Sequence, residues 1–435
     1  MSRKRSLLQL TLMSLAMVSL CACATDGSSP GQSASASTAS LGPGRSVTEW
    51  PAGLTKYDTS KAFKGYTIYT SLGGDGTVNL IDMRGKVVHS WKMSNAPGMY
   101  GQILENGNML YSGRADDGGY GAGKYHMSGK GGSIVEVDWK GSTVKKISAP
   151  NAHHDQTKLP NGNILAILWE PVPKAKLGLV KGGVPGTEFS DGTIFEEIIA
   201  EYNSDGKQVW TWRASDHLNF DDFPICPEND RLEWLHANAL KYLPAGNPVT
   251  GTESIMVSLR HPSACIIFEK STGKLQWRYG GHMKGEYGRL GAQHDFQMID
   301  KGLPGAGNLL VFDNGLNLPS VPESTLYWGM GHSRVIEIDA KTKKVVWMYE
   351  HKDIDWKFPG VEPKWKFNSP YIAGAQRLPN GNTLICEGGT GRIFEVTKDK
   401  EIVWEFINPD RKAVFRAYRY APNHPAFAGK GLPPL

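Results

Sequence analysis

The stretch VIEIDAKTKKVVW (335–347) reads as two short strands around a polar turn, the second ending in tryptophan. Its apolar residues recur with the period of two that turns one face of a strand towards a core. The same phrase stands five more times, as TVNLIDMRGKVVHSW (77–91), SIVEVDWKGSTVKKI (133–147), IIAEYNSDGKQVWTW (198–212), CIIFEKSTGKLQW (265–277) and IFEVTKDKEIVW (393–404). A second phrase interleaves with it: QILENGNMLYSG (102–113), KLPNGNILAIL (158–168) and QRLPNGNTLICEG (376–388). Looser copies are YLPAGNPVTGTESIMVSL (242–259) and DKGLPGAGNLLVF (300–312). Each Asn-Gly predicts a two-residue type I′ hairpin turn. Six units of about four strands each predict an all-β chain, a six-bladed β-propeller, in preference to a β-solenoid or a large sandwich. The tryptophans are expected to pack between blades. Residues 66–92 hold only part of a unit, so a strand near the carboxy terminus is expected to complete that blade.

The composition fits this architecture. The 435 residues are 40% hydrophobic and 21% charged, with 51 Gly and 26 Pro, which argues against disorder and against a coiled coil. Of the formal charge of +5, three units are Arg3, Lys4 and Arg5, and no Lys/Arg run remains that could track a phosphate backbone. Nucleic acid is therefore not an expected partner.

Arg3, Lys4 and Arg5 precede an apolar run from Leu7 to Leu20, too short for a permanent membrane span. Residues 1–22 are expected to be a signal peptide. Leu20-Cys21-Ala22-Cys23 resembles a bacterial lipobox and predicts lipidation of Cys23; simple cleavage after Ala24 is the competing reading. Residues 23–60 then form a tether, Ser/Ala/Gly-rich in its first half, and residues 61–435 the propeller. These readings place the protein in the cell envelope, periplasm-facing or exported, held to a membrane by its lipid. The body keeps Cys226, Cys265 and Cys386, which allow at most one internal disulfide and form no CxxC metal motif.

In a propeller the innermost strand of each blade lines a central channel. Three lead-in segments carry histidine: Ala152-His153-His154-Asp155, Leu235-His236-Ala237-Asn238 and Gln293-His294-Asp295. Gln102 and Gln376 are expected at the matching place in two other blades. Strand alternation lets only one of His153 and His154 point inward. His89, His126, His217, His261, His282, His332, His351 and His424 fall in predicted turns or outer strands and are expected to be ordinary surface or packing residues. Arg114 and Arg260 follow inner strands, and Asp155 and Asp295 are expected to orient their neighbours. Converging imidazoles suit a metal, or a nucleophile, general acid and anion clamp for acyl, phosphoryl or sulfuryl transfer. No P-loop, GxSxG or HExxH occurs. Asp116-Asp117 and Asp221-Asp222 are expected to be solvated turns rather than a Ca²⁺ site.

Taken in order, HHDQTKLPNGN (153–163), WLHAN (234–238), SLR (258–260), QHD (293–295), VFDNG (311–315), SRVIEID (333–339) and QRLPNGN (376–382) resemble the bacterial arylsulfate sulfotransferases over about residues 65–410. The resemblance implies a six-bladed propeller of the cell envelope. It further implies sulfuryl transfer from one phenol to another through a sulfated histidine, with no nucleotide donor, cofactor or metal. His236 matches the family's Leu-His-x-Asn histidine and His294 its Gln-His histidine, and both would bind the phenolic oxygen or exchange its proton. Asn238 and Asn314 lie within the matched motifs and are expected to bind substrate together with Arg260. The sixth-blade segment Ser369–Gln376, where the family's nucleophile is expected, has no histidine, and Leu316-Asn-Leu-Pro-Ser stands where an arginine is expected. Either His154 takes the nucleophile's part with Arg260 clamping sulfate, or the chain does something else. The readings carried forward are therefore an aryl-sulfate transferase using His154, His236 and His294, and a catalytically silent propeller that binds a ligand or protein. A quinone-cofactor dehydrogenase would show eight Trp-marked blades.

Overall fold

A computed structural model describes residues 52–115, 125, 127–281, 288–315, 333–350 and 367–435. The signal segment, Cys23, Asp116-Asp117, Leu316–Ser320, His126, His282, His332 and His351 lie outside the described residues. Within them the chain forms six antiparallel sheets arranged in a ring, a six-bladed β-propeller.

The first blade takes its outer three strands from Tyr66–Thr70, Thr77–Ile81 and Val87–Lys92 and its innermost from Tyr418–Tyr420. The missing inner strand is thus the last strand of the chain. Blades two to five each run from inside to outside in chain order, beginning with Pro97–Ile103, Ala152–Lys158, Ala237–Leu243 and His294–Met298. The sixth blade starts at Gly374–Arg377 and ends at Ile402–Ile407, and Gly53–Tyr57 pairs outside it as a fifth strand. That strand lies inside the expected tether 23–60, so the sheet begins upstream of the expected boundary at 61. Both ends of the chain therefore close the ring, one on each of two neighbouring blades. Loss of either end would expose a sheet edge.

The repeated tryptophan has a definite task. Trp91, Trp212, Trp277, Trp347 and Trp404 lie in the fourth strands, counted from the channel, of blades one, three, four, five and six. Each donates its indole N–H to a carbonyl of the next blade: Asp138 at 3.2 Å, Gly273 at 3.2 Å, Ala340 at 2.8 Å, Lys398 at 2.8 Å and Met83 at 2.8 Å. Blade two has Ile147 instead, which packs without such a bond. An indole buries a large apolar face and still satisfies its single donor, which is why tryptophan and not phenylalanine recurs.

The two sequence phrases meet at a second repeated contact. Asn108, Asn163, Asn308 and Asn382 donate to the carboxylates of Glu136, Glu201, Glu337 and Glu395 at 2.6–2.7 Å. The acidic position of the first phrase thus satisfies the amide that follows Asn-Gly in the second. The turns themselves differ from expectation. Gly107, Gly162 and Gly381 have φ of 84–90°, but the asparagines before them are not in the left-handed region. A type I turn followed by a left-handed glycine closes each hairpin, as in Gly107 N–H to Leu104 and Leu104 N–H to Asn108, so type I′ is not formed. Cys226, Cys265 and Cys386 are buried free thiols.

Candidate functional site: imidazoles around a buried arginine

The inner strands of blades three to five are bulged where they enter the channel. His154 and His236 sit at these irregularities with φ of 53° and 50°, a conformation sparsely populated by residues with a Cβ and held only where the surroundings enforce it. The break in alternation overturns the expectation that one of His153 and His154 points away. Both are buried. His153 stacks on Trp169 at 4.2 Å and its Nδ1 lies 2.7 Å from His154 Nδ1.

Three expected histidines converge. The rings of His154 and His236 are 4.7 Å apart, and those of His154 and His294 lie 6.2 and 6.3 Å from the Phe415 ring. The cluster gains a member that the sequence pattern had assigned to an outer turn. His261 is buried, stacks on His236 at 4.9 Å, and bonds through Nδ1 to the Glu233 carbonyl at 2.7 Å. Gln102 and Gln376, by contrast, pair across their hairpins as Gln297 does, three residues further along the chain than His294. Gln376 instead grips the closing strand, bonding both N–H and C=O of Arg419.

Burial holds all of these imidazoles neutral. It carries His236 and His261 down to about 3, with Arg260 adding to both, and pushes His153, His154 and His294 well below the usual range. A neutral imidazole keeps one lone pair, so its hydrogen bonds decide what it can do. At His294 they are definite. Nδ1 lies 2.8 Å from Asn314 Oδ1, while Asn314 Nδ2 donates to the Ser369 carbonyl at 2.6 Å. The carbonyl at Ser369 fixes which end of the amide is oxygen. His294 must donate from Nδ1, and its Nε2 is a bare lone pair. Asn314 therefore acts on the imidazole. At His236, Nδ1 lies 3.3 Å from the Glu233 carboxyl. Asn238 donates to the Gln293 carbonyl at 2.8 Å, and its Oδ1 is buried without a partner among the described residues.

Arg416 had no motif to announce it. It is fully buried beneath the imidazoles, bonded to Asp155 at 2.6 Å, to the Asn238 carbonyl at 2.7 Å and to the Tyr100 hydroxyl at 3.3 Å, with Asp295 at 3.4 Å. Tyr100 donates to Asp155 at 2.7 Å and Tyr418 to Asp295 at 3.0 Å. Burial opposes the guanidinium charge, but Asp155 and Asp295 hold its pKa well above the ordinary value. The two aspartates next to the histidines thus clamp an arginine from the closing strand's lead-in, tying five blades together. Gly374 leaves room for this: a Cβ there would come within 2.7 Å of Asp295. Arg260, half-buried after the inner hairpin of blade four, and Arg416 both act on His294 by charge. Among the described residues no group of three or more His, Cys, Asp or Glu is arranged as a metal site.

Neutral imidazoles, one with a bare Nε2 and one on a carboxyl, thus stand beside two guanidiniums in a six-bladed propeller. Residues 58–423 match the family model described as Arylsulfotransferase (ASST), and the chain belongs to that family. Membership carries the family's general activity, transfer from aryl sulfates. No curated protein matches significantly. Similar solved structures include a protein of unknown function from Bacteroides caccae, 13% identical over 82% of this chain and 98% of that one, with a TM-score of 0.48. A streptogramin B lyase is 13% identical over 82% of each chain, with a TM-score of 0.40. Hydrazine synthase of Kuenenia stuttgartiensis is 12% identical over 79% of each, with a TM-score of 0.41.

Proposed function

We propose that the protein moves a sulfuryl group from an aryl sulfate to a phenol through a covalent sulfohistidine, and that His294 is the attacking imidazole. The observation that carries this is the chain Ser369–Asn314–His294, which holds a bare Nε2 among converged neutral imidazoles. The sixth-blade segment carries no histidine, yet through Asn314 it prepares His294. His294 therefore suits the nucleophile's part better than His154, whose Nδ1 meets a second imidazole.

His294 Nε2 attacks sulfur, the sulfur–oxygen bond breaks, and its electron pair goes to the aryl oxygen, which takes a proton from His236. An acceptor phenol then returns a proton to His236 while its oxygen attacks sulfur and the nitrogen–sulfur bond breaks. Arg260 offsets charge on the sulfuryl oxygens from the half-buried edge, and Asn238 Oδ1 and His154 bind the phenols. After brief exposure to 4-nitrophenyl sulfate and an alkaline quench, we expect a gain of about 80 Da on the peptide carrying His294. Nitrophenol release with the adduct on His154 would move the nucleophile. Neither adduct nor release from folded protein would refute the reading.

The proposal extends to the amino terminus: Cys23 carries the lipid that anchors the propeller to an envelope membrane. Loss of labelled fatty acid in Cys23→Ala is the expected result; retained label would refute it.

A further inference from the structure

Two buried carboxyl groups behind His236 have no part in the scheme above. Glu233 and Glu197 come from neighbouring segments and both serve the lead-in to the blade-four inner strand. Glu197 Oε1 accepts the Ala237 N–H at 2.9 Å; its Oε2 is buried and has no hydrogen-bond partner among the described residues. Glu233 turns Oε1 towards His236 Nδ1 at 3.3 Å and accepts the Trp169 indole N–H on Oε2 at 3.0 Å. Trp169 in turn stacks on His153, so the carboxyl is fixed by two aromatic contacts and not by a flexible cation.

We propose that Glu233, backed by Glu197, is a positioning residue that stores the proton His236 delivers to the departing phenolate. This rests on the sulfohistidine reading. Two carboxylates buried on neighbouring segments, one raising the other by its charge, cannot both ionise cheaply, so one of them keeps a proton. Burial, then the neighbouring Glu233, hold Glu197 well above the ordinary carboxyl range; burial raises Glu233, with His261 and Arg260 working the other way. The groups facing the pair are His236, His261, Arg260, Glu196 and, across Trp169, His153. With that proton on Glu233 Oε1, the oxygen facing Nδ1, His236 accepts there and presents Nε2–H to the substrate, the opposite tautomer to His294.

The step then balances. As the sulfur–oxygen bond breaks, the aryl oxygen takes the proton from His236 Nε2, and Nδ1 takes the proton from Glu233. Glu233 is left as a carboxylate and His236 stays neutral. When the acceptor phenol attacks, its proton enters at Nε2 and the proton on Nδ1 returns to Glu233. His236 therefore never becomes an imidazolium beside Arg260, where a second positive charge would be costly; the ring of His294, which keeps Nδ1–H, carries the formal charge while sulfated, offset by the sulfuryl oxygens.

Glu233→Gln keeps a donor towards Nδ1 but cannot release its proton. Proton delivery matters little when the leaving phenol is acidic and much when it is not. The rates of donor cleavage for 4-nitrophenyl sulfate and for phenyl sulfate are to be compared in the full-length protein and the variant. We expect the phenyl-to-nitrophenyl ratio to fall at least about tenfold in Glu233→Gln, against the 10²–10⁴ that a positioned acid contributes. Equal losses on both donors, or none, would overturn the proposal while leaving the sulfohistidine intact if the adduct still forms. Failure of the parent protein to form an adduct would instead overturn the reading beneath it. A readout independent of turnover is the carboxylic-acid carbonyl stretch at neutral pH in the infrared. It is expected in the parent and lost in both Glu233→Gln and Glu197→Gln; its absence from the parent would also overturn the proposal.

Discussion

Asn314→Leu removes a side chain of similar size and breaks both ends of the chain that prepares His294. Ser369 O loses the amide at 2.6 Å but keeps the Ser333 hydroxyl at 3.3 Å, so its loss is partial. His294 Nδ1–H loses the acceptor it has at 2.8 Å. A buried donor left unsatisfied costs about 1–3 kcal/mol, so the whole substitution is expected to cost about 2–4 kcal/mol of stability. The effect on catalysis is larger, since nothing then prefers a bare Nε2. An imidazole held in the wrong tautomer costs a triad hydrolase about 10⁴ in kcat, and a loss of about 10²–10⁴ is expected here. Asn314→Asp separates the two effects. Its carboxylate still accepts from Nδ1–H and keeps the tautomer, but faces the Ser369 carbonyl with an oxygen. It is expected to lose stability comparably and activity far less. The assay is nitrophenol release from 4-nitrophenyl sulfate at saturating phenol, beside thermal unfolding of both variants. If Asn314→Leu keeps more than half the parental kcat, or Asn314→Asp falls as far as Asn314→Leu, the tautomer argument fails.

Two further outcomes test the frame and its titration. Trp404→Phe removes the indole bond to Met83 that joins the last blade to the first, and is expected to cost about 1–3 kcal/mol in denaturant unfolding, because both partners are buried. Trp347→Phe breaks the same kind of bond at an exposed seam and should cost less; equal costs would refute the argument from burial. The neutral buried histidines make stability fall with acid. His236 and His261 sit at about 3 when folded against 6.5 as the ordinary value, so the unfolded chain binds more protons between those limits. Their contribution is complete above pH 6.5 and is lost as pH falls towards 3, reaching about 2.7 kcal/mol each by pH 4.5. His261→Gln, whose amide can still donate to the Glu233 carbonyl, should flatten the pH dependence of the unfolding midpoint between 6.5 and 4.5. An unchanged slope would place the charge elsewhere.

The frame was legible because its contacts repeat. Trp91, Trp212, Trp277, Trp347 and Trp404 end the same phrase because each meets a carbonyl in the third-to-fourth-strand turn of the next blade. The Asn-Gly-Asn phrase recurs because its second asparagine meets the glutamate of the other phrase. Such contacts are written once per unit, and a period in the chain exposes them. His154, His236 and His294 were found by the same means, as departures placed regularly within a repeat. The turn type was missed because Asn-Gly suits both a type I′ turn and the type I turn with a following left-handed glycine, and the extra residue before the second asparagine decides between them.

The sequence by itself determined the six blades, their tryptophan seams and the three histidines on the inner strands, because period-two patterning and short hairpins are local physics. Tertiary structure decided what the histidines can do. Arg416 reaches Asp155 and Asp295 only because the chain's last strand returns to its first blade, a contact across 261 positions in one case. His261 joins the cluster because its hairpin folds back over Glu233, although its neighbours in sequence mark only a turn. Protonation and tautomer follow from desolvation and from single acceptors such as Asn314 Oδ1 and Glu233 Oε1. Those are properties of a three-dimensional neighbourhood, with no period in the chain to announce them.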